Sequence, residues 1–212
     1  MPANLESLGE EWRKLLTSLG AGRQEADRVF ADLAEAHSRP GRFYHTLDHI
    51  AHVLATVHEL LGQARNPAAV LLSVWCHDIV YNPRAKDNEG RSAGWAAHVL
   101  GQLGVDDAII GQVRRLILLT QTHQAASDDL DAHILLDADL AILGAAPEEY
   151  DQYARAIRRE YAWVPEAEYR AGRKAVLESF QKREWIYRTE KLHQRLEATA
   201  RDNLRREGDS LG

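Results

Sequence analysis

Three short stretches of this chain carry side chains able to do metal and acid–base chemistry. "FYHTLDHIAHVL" places three histidines and an aspartate between His45 and His52, "WCHDIVY" sets His77 beside Asp78 after an apolar run, and "LLDADLAILG" interrupts apolar sequence with Asp137 and Asp139. Ionisable side chains are rare in apolar segments unless they are paired or bind metal. Adjacent helical residues diverge by about 100°, so His77 and Asp78 both touch one ion only if it lies between their directions, as cis ligands on an octahedral ion do. Imidazole with carboxylate suits Mn, Fe, Co, Ni or Zn better than Ca. Asp137 and Asp139 point roughly 200° apart on a helix, so one faces inward and the other caps or meets solvent. Asp139, followed by Leu140, Ile142 and Leu143, is the expected inward ligand, with Asp137 second. His45 and His49, four apart, fall on one helical face. Both rings can then bind one ion, or one can bind while the other, a turn away, works as an acid. His52 and His58, on the same helix, are expected to be exposed or merely packed.

The loop "YNPRAKDNEGRSA" supplies further candidates. Asp87 or Asn88 can N-cap the following helix with Glu89 in its first turn. Alternatively, Glu89 serves near a metal-bound water as a base or an orienting partner. Lys86 and Arg84 can contact a phosphate from the same loop. Arg158, Arg159, Tyr161 and Arg173 are candidates for substrate recognition by charge alone.

The elements that must position these groups all read as helices. "SLGEEWRKLLTSLG" spaces Leu8, Trp12, Leu15, Leu16 and Leu19 at helical period, and "EADRVFADLAEAHS" repeats the pattern before Pro40-Gly41. A third helix is expected over about 47–63, and a fourth opens at Pro67 and is nearly all apolar from Ala68 to Trp75, as at the centre of a bundle. Further helices are expected near 88–103, 107–121, 130–143, 147–160, 165–185 and 188–207, with a frayed tail at "GDSLG". No strand pattern, repeat or Pro/Gly/Ser linker is visible. The expected fold is all-α, an irregular helical bundle in one domain.

Composition narrows the function classes. A chain of 212 residues with 45% hydrophobic and 27% charged residues is ordinary for a globular protein with a real core. No apolar run reaches bilayer length, and "MPANLESLGEEWRKLL" lacks the basic and apolar regions of a leader, so neither a membrane span nor a signal peptide is expected. The lone Cys76 allows no internal disulfide, which predicts a cytoplasmic location. A net charge of −6 argues against general nucleic-acid binding. Residues 155–207 hold 14 Lys/Arg against 9 Asp/Glu. That basic segment suits a small phosphorylated ligand, or consists of solvated faces with pairs such as Glu178–Lys182.

On these residues the chain resembles the HD superfamily of metal-dependent phosphohydrolases. His49, then His77-Asp78, then Asp139 follow that family's H…HD…D order, with 28 residues from His49 to His77 and 61 from Asp78 to Asp139. "RFYHTLDHI", "WCHDIVYNPRAKDNEGRSA" and "LDADLAILG" resemble a bacterial branch of predicted HD phosphohydrolases, as do "IRREYAWV", "YRAGRKAVLESF" and "ARDNLRRE" further on. The resemblance implies an HD-type domain over residues 1–212, with a metal-binding core at about 40–145 and C-terminal helices over 147–207 packing on it. It implies His49, His77, Asp78 and Asp139 as metal ligands. Extra histidines between the HD pair and the last aspartate serve a second metal or the substrate phosphate in other HD proteins, which makes His123 a candidate. "YHTLDHIAHV" is also similar, more distantly, to the signature of cyclic-nucleotide phosphodiesterases, where the first histidine is a general acid and the second binds metal. Carried over, His45 is the proton donor and His49 a ligand. The glutamine that clamps the base in those enzymes has no counterpart, and "HDIVYNP" lacks their HPG continuation, so cyclic-nucleotide chemistry is not implied.

The expected activity is hydrolysis of a phosphoester or phosphoanhydride, of a nucleotide or another small phosphorylated metabolite. The cofactor would be a divalent ion (Mn, Mg, Co, Ni, Fe or Zn), with Asp78 touching metal or its water and accepting a proton. The readings set against it are a di-iron HD-type oxygenase, a non-catalytic nucleotide-binding HD module, and a helical protein whose core polar residues are structural. No membrane or stable nucleic-acid partner is expected, and homo-oligomerisation is left open.

Overall fold

The computed structural model describes residues 4–212, so the first three residues of the stretch in which no leader is expected lie outside the described residues. The all-α expectation holds. The described residues form ten α-helices and two short 3-10 turns, with no strand among them. The packing clusters as two compact units, one running to Leu136 and one spanning Asp137–Gly212. No linker marks this division in the sequence because it falls inside a single unbroken helix. Among the described residues, no helix is long and apolar enough to cross a membrane.

The N-terminal unit begins with α1 (Leu5–Ser18), capped by the Asn4 side chain accepting from the Glu6 and Ser7 amides, and α2 (Arg23–His37). Helix α3 (Leu47–Leu60) continues as a 3-10 turn, Leu61–Gln63. Helix α4 (Pro67–Cys76) has Pro67 in its first turn and the Asn66 side chain accepting from the Ala69 amide. The carboxylate of Asp131 accepts the Arg65 and Asn66 amides at 2.7 and 3.1 Å, pinning the entry of α4. α4 is buried from Leu72 to Cys76, as its apolar run requires, and it packs against α3, α5 (Asn88–Gln102) and α6 (Asp107–Leu119). Trp12 and Trp75 meet edge to face at 5.5 Å, and the Trp12 indole donates to the Ala26 carbonyl. Full burial of such side chains contributes on the order of 1.5–3 kcal/mol each. The unit closes with α7 (Leu130–Asp139), whose last turn runs through the division.

The C-terminal unit opens with a 3-10 turn, Leu140–Gly144, followed by α8 (Pro147–Glu160), α9 (Glu166–Gln181) and α10 (Glu190–Ser210). A Cβ on Gly144 would lie 2.6 Å from Leu196 Cβ and 2.9 Å from the Leu196 carbonyl, so only glycine permits this approach to α10. Asn203 donates to the carbonyls of Leu143 and Ala145 from the same helix. The expected Glu178–Lys182 pair forms at 3.6 Å. The frayed tail does not. α10 runs to Ser210, because Arg170 donates to the carbonyls of Ser210 and Leu211 and Lys174 to that of Gly212.

Candidate metal centre

His77 and Asp78 lie just past the last turn of α4, not within it. The His77 Nδ1 donates to the Val74 carbonyl at 2.9 Å, which fixes the ring and leaves Nε2 with its lone pair facing away from the helix. That Nε2 stands 3.2 Å from His49 Nε2, with both rings buried. Two ring nitrogens in this relation need a proton or a cation between them. Two nitrogens bound cis to one ion at ~2.1 Å would stand about 3.0 Å apart, so the pair fits a shared metal.

Asp139 is the last residue of α7, and one of its carboxylate oxygens joins this pair. One ligand atom each from His49, His77 and Asp139 lies within 4.8 Å of the others. Asp78 brings its own oxygen to the two rings, with Oδ2 at 3.1 Å from His77 Nε2 and 3.7 Å from His49 Nε2. Burial works to raise the Asp78 carboxyl. The imidazoles of His77, then His45, then His49 outweigh it and hold the group well below the usual carboxylate range. A nitrogen, nitrogen, oxygen donor set of this kind takes a borderline divalent ion.

His45 does not share a helical face with His49, which corrects the spacing argument. Thr46 is extended and caps α3, so the helix starts at Leu47 and His45 precedes it. The two rings still come within 5.9 Å, and His45 Nε2 lies 4.0 Å from Asp78 Oδ2 while its ring stacks on Tyr81 at 4.2 Å. His45 therefore stands beside the group without belonging to it.

Asp137 is buried and takes another role. Its two oxygens accept from the amides of Arg188 and Thr189 and from the Thr189 hydroxyl, at 2.6–3.0 Å, at the entry to α10. Of the two aspartates in "LDAD", it is the one that caps.

The remaining candidates are spread out. Glu89 sits half-buried in the first turn of α5, outside the ligand group. Asp87 occupies the N-cap position without a side-chain capping hydrogen bond, and the Asn88 amide instead clasps the backbone of Asn82. Lys86 is exposed, and its carbonyl accepts from Gln121. His123 follows α6 with a left-handed φ of 50°, its amide closing back to Leu119. The Arg158 guanidinium, expected on charge to meet substrate, closes the end of α8. It donates to the Tyr161 and Val164 carbonyls and pairs with Glu166 at 3.0 Å. Arg173 is likewise taken up, by a two-pronged contact with Glu207. His52 and His58 are exposed, His58 against Glu11.

Sequence reading missed Arg42. Its guanidinium is buried and donates to the carbonyls of His45 (3.0 Å), Asp78 (2.8 Å) and Ile79 (2.9 Å), with the Tyr81 ring 5.4 Å away. The sequence signal is weak, because backbone carbonyls carry no residue identity.

No family model, curated protein or solved structure matches this chain.

Proposed function

We propose that this protein is a metal-dependent hydrolase of phosphoester or phosphoanhydride bonds, acting on a nucleotide or another small phosphorylated metabolite. The observation that carries the reading is the convergence of His49, His77 and Asp139 within 4.8 Å, with Asp78 against both rings. The resemblance of the same residues to the HD phosphohydrolase pattern supports it. These four side chains would hold a divalent ion, which when bound supplies a hydroxide-like water near neutral pH and offsets phosphoryl charge.

The chain's own residues supply the rest. The Val74 carbonyl orients His77. Asp78, held ionised by its imidazole neighbours, would touch the ion or its water and accept a proton there. His45, half-exposed and 4.0 Å from Asp78, donates a proton to the leaving oxygen. The proposal includes a cytoplasmic location, on the ground that a lone cysteine builds no disulfide.

Elemental analysis of the purified protein tests the metal. A phosphate-release screen over nucleotides with Mn, Co, Ni and Mg tests the chemistry, with His77→Ala as control. Bound divalent metal and turnover lost together in the variant support the reading. Wild-type protein that takes up no metal from any of these salts rejects it.

A further inference from the structure

The segments that carry His45 and Asp78 both lie outside helices. His45 precedes α3, and Asp78 follows α4. Helix hydrogen bonds therefore do not set their relation to each other, although their side chains stand 4.0 Å apart. One side chain reaches both. Arg42 donates from one guanidinium nitrogen to the His45 and Asp78 carbonyls and from the other to the Ile79 carbonyl. Its charge also lies at the carbonyl end of α4, where a cation is favoured.

The geometry points to Arg42 as a positioning residue that locks the proton-donor segment to the metal-ligand segment. This deepens the metal-site reading above and rests on it. A planar fork is required. A lysine ammonium is a single point of charge and cannot span three carbonyls on two segments. The neighbouring His37 fits this arrangement. Burial, and then the charge of Arg42, push its pKa down to about 3, so it stays neutral and does not repel the guanidinium.

The test uses full-length Arg42→Lys and Arg42→Met with two readouts. The first is hydrogen–deuterium exchange of the metal-free protein, resolved to peptides. Removing a charge-assisted contact should speed exchange roughly 10–100-fold in the segments around 43–46 and 77–81 together, with α1, α2 and α6 unchanged. The second is Co²⁺ affinity read from its visible absorption, which should weaken about 10–100-fold, as losses of ligand-orienting partners do. Arg42→Lys should behave like Arg42→Met, and it carries the test alone if the methionine variant does not fold.

Several outcomes overturn the proposal. Exchange that rises in only one segment, throughout the chain or nowhere does so. Wild-type behaviour in the lysine variant does so, and so does unchanged Co²⁺ affinity despite loosened segments. If wild-type protein binds no Co²⁺, the metal reading fails, and the exchange result still decides whether Arg42 straps the two segments.

Discussion

His49 Nε2 and His77 Nε2 face each other at 3.2 Å, and both rings are buried. Without a cation this contact rests on one proton. With a cation it becomes two ligand bonds, so metal should stabilise the fold as well as serve chemistry. At a free Co²⁺ concentration of about 100 times its dissociation constant the gain is ~2.7 kcal/mol. For a chain of this size that raises the melting temperature by about 5–10 °C. Differential scanning fluorimetry with Co²⁺ and with chelator reads the shift. His77→Ala should lose it, and an equal shift in that variant would show that the ion binds elsewhere.

Asp137 and Asp139 should separate by phenotype. Asp137 accepts three hydrogen bonds at the entry to α10, two of them from backbone amides, of which that of Thr189 is buried. Asp137→Ala should cost about 2–4 kcal/mol in urea unfolding and leave Co²⁺ affinity largely intact in the folded fraction. Asp139→Ala should lose Co²⁺ affinity in the folded fraction, which Asp137→Ala keeps. A stable Asp137→Ala protein without metal affinity would exchange the two assignments.

This pair also marks how far the sequence could be read. His77 and Asp78 stood out because charges directly after the apolar run of α4 are conspicuous, and the helical fold followed from spacing alone. The divergence of Asp137 and Asp139 was predictable from helix geometry. Which one caps depended on Arg188 and Thr189, residues distant in sequence that no local pattern connects to it. The helix start near residue 47 is legible in the sequence, but the i,i+4 argument for His45 and His49 needs a helix that already includes residue 45. The extended backbone of Thr46 excludes such a helix. The tail is expected to fray as chain ends commonly do, and the carbonyl contacts from Arg170 and Lys174 hold it instead.

His37 should make the protein acid-sensitive. The ring is 1% exposed, and burial, then the charge of Arg42, lower its pKa from 6.5 to about 3. The unfolded chain takes up a proton below pH 6.5, and the folded chain does not until about pH 3. Unfolding therefore binds a proton across that window. Stability falls as pH drops through it, by up to about 1.4 kcal/mol per pH unit, and this group adds no slope above it. His37→Leu should flatten the pH dependence of the urea midpoint between pH 6.5 and 4 by up to one proton. An unchanged slope would assign the acid sensitivity to other groups.

Arg173, Glu207 and Tyr150 form a buried network in the C-terminal unit. Arg173 Nε and a terminal nitrogen donate to the two Glu207 oxygens at 2.8 and 2.9 Å, and the Tyr150 hydroxyl donates to the same carboxylate. Burial, then the Glu207 charge, raise the Tyr150 hydroxyl well above its ordinary range, so it remains a donor. Arg173→Met leaves the carboxylate buried without its main partner and should cost about 3–5 kcal/mol. Arg173→Met with Glu207→Leu should cost less than the single change. Double-mutant unfolding measures the difference, and additive losses would mean the two groups are not coupled.

His45 offers the sharpest separation between binding and chemistry. It stacks on Tyr81 and stands 4.0 Å from Asp78, beside the ligand group and outside it. His45→Ala should therefore keep its metal and slow turnover by ~10²–10⁴ on substrates whose leaving oxygen needs a proton. A nitrophenyl ester departs as a stable phenolate and needs no such help, so its hydrolysis should fall far less. The ratio of the two losses isolates proton donation from any general damage to the site. Equal losses on both ester types, or metal stripped from the variant, would remove His45 from the acid role and make it a structural or ligating residue instead.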